Sequence, residues 1–200
     1  MNIDKTIIIP TRNNEDCIAT TLQKIKEYTD NHPSVRQIII TDNASNDDTL
    51  PAILHFIHSN KDSRFLLITQ PRTSLTKKTL LVAIEQSQTQ ATIILEVQGY
   101  TRLHQIKHQC DLLTKADLVL PSRLHKNSLT NYQPTTLDKI KSLFDNKKYK
   151  DINNINKAFR TKIIYEALKK SKEENDYWQE IIETNPKMKV TETRTHYIIQ

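Results

Sequence analysis

The chain reads as an α/β domain with a mainly parallel central sheet flanked by helices. Two observations carry that reading. Short β-branched runs alternate with segments of helical periodicity through the first 120 residues, which is the pattern of repeated βαβ units. The runs themselves, such as Ile7 to Ile9 and Ile38 to Ile40, cluster the apolar residues where a disordered chain would scatter them. With 200 residues the chain can bury a substantial core even though only 36% of it is hydrophobic.

Taken in order, strands are expected at Thr6 to Ile9, Gln37 to Thr41, Phe65 to Thr69, Ala91 to Leu95 and Leu118 to Leu120. Between them Ile18, Leu22 and Ile25 recur at helical spacing. Ile53, Phe56 and Ile57 do the same, then Leu80, Leu81 and Ile84, then Leu103 and Ile106. From His125 to Tyr149 the pattern turns polar. Five lysines there surround Leu137, Ile140, Leu143 and Phe144, which reads as a basic amphipathic helix packed on the domain or meeting a membrane surface. Helices resume at Thr161 to Ser171 and Tyr177 to Glu183, the second expected to bury Trp178, and Lys189 to Thr193 reads as a last strand. With no internal repeat or linker, residues 1–200 count as one domain.

The longest apolar stretches are only a few residues, so no transmembrane segment is expected. The start of the chain lacks a signal-peptide pattern, and the expectation is a cytoplasmic protein, peripheral to a membrane if its acceptor is a lipid. Cys17 and Cys110 read as free thiols in helical patterns. A formal net charge of +6 favours anionic partners, but no nucleic-acid reading motif is present and nucleic acid is not expected. Gly99 is the sole glycine, so turns requiring positive φ are expected to use Asn and Asp. His104 and His108 stand on one helix near Cys110 without a third ligand at helical spacing, and read as surface histidines.

Two strand tips concentrate the polar chemistry. The first strand ends in Pro10, Thr11, Arg12, Asn13, Asn14 and Glu15, and the second in Thr41, Asp42, Asn43, Ala44, Ser45, Asn46, Asp47, Asp48 and Thr49. In open α/β sheets ligands bind at the carboxyl ends of strands, and short carboxylates and amides there suit hydrogen bonding to a base or ribose. The plainer reading of the second tip is a turn and N-cap cluster.

Together, IIIPTRNNE and IIITDNASNDDT resemble the opening of family-two glycosyltransferases, which read IPTxNEE followed by VDNASTDGT or VDDGSTDGT. ADLVLPSRL is similar to that family's ADVVIGSRY, KDINNINKAFRTKII to its DxTSGFRAFRREVL, and VTETRTHY stands near its EVPVRWHYR. Within the family the likeness is greatest to polyprenyl-phosphate sugar transferases of the dolichol-phosphate mannose synthase type.

This resemblance implies a GT-A fold, with residues 1–120 as the nucleotide-binding half and 121–200 as the acceptor side. It implies that Pro10, Thr11, Asn13, Glu15, Asp42, Asn43 and Ser45 surround a nucleotide, that Arg123 lies by the diphosphate, and that Asp151 is the base for the acceptor. The implied activity is transfer of a hexose from a UDP- or GDP-sugar to a lipid-phosphate or glycan acceptor. The family's DxD element, which holds Mg²⁺ or Mn²⁺, is replaced here by Leu95-Glu96-Val97-Gln98-Gly99. Glu96 keeps a hard oxygen ligand and Gln98 offers only a neutral carbonyl, so metal affinity is expected to fall. Either Arg72, Lys77 and Lys78 supply positive charge in its place, or the chain is a catalytically inactive GT-A-like module that binds a nucleotide sugar or a protein.

Overall fold

A computed structural model describes residues 3–71, 76–97, 103–123, 129–130, 149, 151–152, 154–174, 176–194 and 196–197. The expected basic helix of residues 125–149 lies outside these residues, apart from Leu129, Thr130 and Tyr149, and so do Arg72, Gln98 and Gly99.

The elements follow the expected alternation: β1 (Lys5–Thr11), α1 (Ile18–Asp30), β2 (Val35–Asn43), α2 (Thr49–Asn60), β3 (Phe65–Gln70), α3 (Lys77–Glu85), β4 (Ala91–Ile94), α4 (His104–Leu112) and β5 (Leu118–Ser122). They continue with β6 (Leu129–Thr130), β7 (Lys157–Arg160), α5 (Thr161–Lys170), α6 (Tyr177–Thr184), β8 (Val190–Arg194) and β9 (His196–Tyr197). The main sheet has seven strands in the order β3-β2-β1-β4-β7-β5-β8, parallel except for β7, which pairs antiparallel with both β4 and β5. β6 and β9 form a separate parallel pair.

Strand alternation sends side chains into two cores, one per face of the sheet. Ile7, Ile9, Ile38 and Ile40 meet Ile18 and Leu22 of α1, Ile53 and Phe56 of α2, and Ile106 and Cys110 of α4. On the other face Ile8 and Ile39 meet Leu80 and Ile84 of α3, Ile164 and Leu168 of α5, and Trp178 and Ile181 of α6. This accounts for the unbroken isoleucine runs, since both alternating sets are covered.

The reading of backbone turns needs a correction. The positive-φ residues among those described are Asn13 (φ 50°), Ala44 (φ 56°) and Lys61 (φ 50°), so only one is an Asn and none is an Asp. Lys61 ends α2 as a left-handed cap, its N–H donating to the Ile57 carbonyl. That helix-end geometry is set by backbone bonding and is occupied here by a residue that carries a Cβ penalty.

Candidate functional site

The tips of β1 and β2 are direct neighbours. Thr11 and Asp42 are register partners in parallel strands, so both side chains leave the sheet on the face that carries α1 and α2, and both are buried. Beyond the strands the two loops are laced together. The Asn13 N–H donates to Ser45 Oγ at 3.0 Å, and the Asn46 N–H returns to Asn13 Oδ1 at 2.9 Å. The Glu15 N–H donates to Asp47 Oδ2 at 3.2 Å, while Glu15 Oε2 accepts from the Asp48 N–H at 2.8 Å. Asn14, which follows the left-handed Asn13, donates its N–H to Thr49 Oγ1 at 2.6 Å and accepts from Thr11 Oγ1 at 2.8 Å.

Asp42 is engaged locally: Ser45 donates to its carboxylate through both its Oγ, at 2.5 Å, and its backbone N–H, at 3.3 Å. These bonds bring Thr11, Asn13, Glu15, Asp42 and Ser45 into one cluster, with Pro10 inside β1 opposite Thr41. The turn-and-cap reading accounts for much of it, because Asn13, Glu15, Ser45 and Asp47 all satisfy backbone groups of the facing tip. It does not account for two atoms. Asn43 Oδ1 and Thr41 Oγ1 are buried and find no hydrogen-bond partner among the described residues. Both alternate with Asp42 and therefore face α3, on the side of the sheet opposite Thr11.

A second polar group gathers at the tips of β4, β5 and β7. Arg123, just past β5, grips Asp151 with its backbone N–H at 2.8 Å, with Nε at 2.9 Å and, to the other oxygen, with an Nη at 2.8 Å. The bidentate geometry fixes both side chains. Asn154 donates to the Pro121 carbonyl at 2.8 Å, reaches Asp151 at 3.5 Å, and accepts from the Asn156 N–H at 3.1 Å. Asn156 Oδ1 accepts the Glu96 N–H at 3.0 Å. A buried polar chain thus runs from Glu96 to Arg123. Asn154, Asn156 and Lys157 were not anticipated. The signal was present as a polar stretch, NNINK, set directly before an apolar pair in a segment with no surface-loop composition beyond it.

Among the described residues no three His, Cys, Asp or Glu side chains converge on a point where a metal could sit. Of the two expected metal ligands Glu96 is described and Gln98 lies outside the described residues. Lys77 does not wait for a ligand either. Its ammonium donates to the Ser171 carbonyl at 2.8 Å, and Lys77 and Lys78 lie 3.9 and 3.7 Å from Glu174. His108 is exposed and contacts Thr193 Oγ1 at 3.2 Å. Trp178 is buried against Phe159, with ring centroids 5.8 Å apart, and Glu180 braces the loop before α6 by accepting from Ser171 Oγ and the N–H groups of Lys172 and Glu173.

Residues 6–177 match the family described as glycosyl transferase family 2. No curated protein matches the chain. Solved structures do. S. aureus TarS in complex with UDP-GlcNAc is 15% identical at TM-score 0.66, with 98% of this chain and 58% of that one covered. The mannosyltransferase PcManGT from Pyrobaculum calidifontis, in complex with GDP-Man and Mn²⁺, is 12% identical at TM-score 0.67, covering 98% and 56%. The 4-diphosphocytidyl-2C-methyl-D-erythritol synthase from Anaerococcus prevotii is 13% identical at TM-score 0.67, covering 98% and 91%. The chain therefore spans 56–58% of the length of the first two, and at these identities the likeness is one of fold.

Proposed function

Since the chain belongs to glycosyl transferase family 2 and has the GT-A fold, we propose that it transfers a hexose from a UDP- or GDP-sugar to a phosphate-bearing lipid acceptor at a membrane face. The observation that carries this reading is the pair of laced tips at the carboxyl ends of β1 and β2, which sets Asp42 and Ser45 beside Asn13 on the face that carries Thr11. Uracil N3–H and guanine N1–H are ring donors that a carboxylate or hydroxyl oxygen at these tips recognises, and cytosine has no ring N–H to offer. Asp42 and Ser45 then meet the ribose, and Pro10, Thr11, Asn13 and Glu15 shape the floor.

Arg123 is assigned to the diphosphate, where a fixed guanidinium stabilises the charge that grows as the bond from the anomeric carbon to phosphate breaks. The new bond joins that carbon to an acceptor oxygen, and the nucleoside diphosphate leaves with the electron pair. A hydroxyl acceptor must also lose a proton. Asp151, the residue assigned to remove it, has both oxygens engaged by Arg123, which lowers its value as a base. A phosphate acceptor is already deprotonated at neutral pH and needs no such help, which favours lipid phosphate over a glycan hydroxyl. Among the described residues no helix is long and apolar enough to cross a membrane, so the acceptor would be met from the surface.

A non-catalytic nucleotide-sugar binder is the second reading, favoured by the replacement of the family's DxD element with Glu96-Val97-Gln98. Thermal-shift titration with UDP, GDP, their sugars and CTP, each with and without Mn²⁺, tests the choice. Stabilisation of about 2.7 kcal/mol at 100 times the dissociation constant is expected for UDP or GDP. A response confined to CTP would contradict the proposal, and binding without hexose release in the presence of a polyprenyl phosphate would leave the binder.

A further inference from the structure

Lys157 is only 1% exposed, in a strand hydrogen-bonded on both sides, among the largest side chains that the fold buries completely. An ammonium placed there costs several kcal/mol in lost hydration, and a methionine would fill the volume without that cost. Its packing against the Trp178 ring, 5.0 Å from the centroid, does not require a charge. The one direct hydrogen bond it makes among those described goes to the Asn154 carbonyl. That bond closes the turn before β7, and the turn is what aims Asn154 at Pro121 and Asp151, and Asp151 at Arg123. Asp151 is thus bonded directly to Arg123, and its charge also acts on Lys157 without a hydrogen bond between them among those described.

We propose that Lys157 is a positioning residue, whose buried ammonium holds the turn before β7 closed so that Asp151 presents the Arg123 guanidinium at the tip of β5. Its consequence for activity rests on the assignment of Arg123 to a phosphate group, while its structural half stands without any ligand. The role explains why charge is kept in a place that penalises it.

The test follows the Arg123 amide, which donates to Asp151 at 2.8 Å, by hydrogen exchange corrected for intrinsic rate, in the full chain and in Lys157→Met and Lys157→Arg. Burial, opposed by Asp151 and aided by Arg123, pushes the Lys157 ammonium down to about 7. Among the described residues those two are the charged groups that act on it. Tyr177, beside Trp178 on α6, is held near 12 by burial and does not titrate in the range used.

Between pH 6 and 9 the wild type should lose about tenfold of its Arg123 amide protection, the worth of one charge-assisted hydrogen bond. Global stability to urea should rise over the same range, because deprotonation relieves the buried charge. A merely structural lysine would move both together. Lys157→Met should show low protection at every pH with equal or greater global stability, and Lys157→Arg should restore protection without the pH dependence. Unchanged Arg123 protection in Lys157→Met overturns the proposal, as does protection that only follows global stability. If Lys157→Met does not fold, the opposite pH trends in the wild type decide alone. Loss of UDP affinity of about tenfold in Lys157→Met is expected as well. If the exchange result holds and UDP binds neither protein, the positioning role stands and the assignment of Arg123 to a phosphate fails.

Discussion

Three residues show how local chemistry departs from what composition suggests. Lys61 adopts φ 50° at the end of α2, a conformation that glycine takes freely and a Cβ-bearing residue takes at a cost of about 1 kcal/mol. Lys61→Gly should therefore raise stability by about 0.5–1 kcal/mol in urea denaturation, without touching the tips of β1 and β2. Glu180 accepts from two backbone N–H groups and Ser171 Oγ, which hold its carboxyl down at about 2. Its folded value lies below the unfolded one, so its contribution is complete above the ordinary carboxylate range, near 4.3, and is lost as pH falls toward 2. Acid titration of stability should thus be flatter in Glu180→Gln over that window. At Lys157 it is the charged form that the fold disfavours. Burial lowers its value from 10.5 to about 7, so the unfolded chain binds the extra proton between those limits and stability should climb with pH there. That climb should vanish in Lys157→Met.

At the scale of elements, the parallel strands were legible because each isoleucine run is too short for a helix and too apolar for a surface strand. The helices that cover them show regular apolar spacing, and Ile18, Leu22, Ile53, Leu80 and Ile106 all end in the two cores. β7 was not legible. Its four residues, Lys157 to Arg160, run straight into α5, and the expected elements resume only with the helix at Thr161, leaving 157–160 unassigned. Tertiary pairing with β4 and β5 decides the matter, since only an extended segment satisfies both neighbouring edges. Phe159 anchors this wedge, fully buried against Trp178. Phe159→Ala should cost about 3–5 kcal/mol by denaturant titration, more than an equally sized change at the exposed Leu54. The site inherited the same asymmetry: the motifs at β1 and β2 could be read directly, whereas the buried chain from Glu96 through Asn156 and Asn154 to Arg123 depends on a strand that periodicity hides.

For the whole molecule, the parallel order of β3, β2, β1 and β4 brings the polar ends of successive strands to one edge of the sheet, where a ligand can touch several at once. The central claim is that this edge, at β1 and β2, holds uridine or guanosine. Isothermal titration calorimetry of UDP and GDP against the wild type, Asp42→Ala and Ser45→Ala tests it most directly. One of the two nucleotides should bind the wild type, and each variant, still folded by circular dichroism, should lose at least about tenfold in affinity, as expected when a hydrogen-bond partner of the base or ribose is removed. Wild-type affinity retained in both variants, or no heat from either nucleotide with any of the three proteins, would contradict the account.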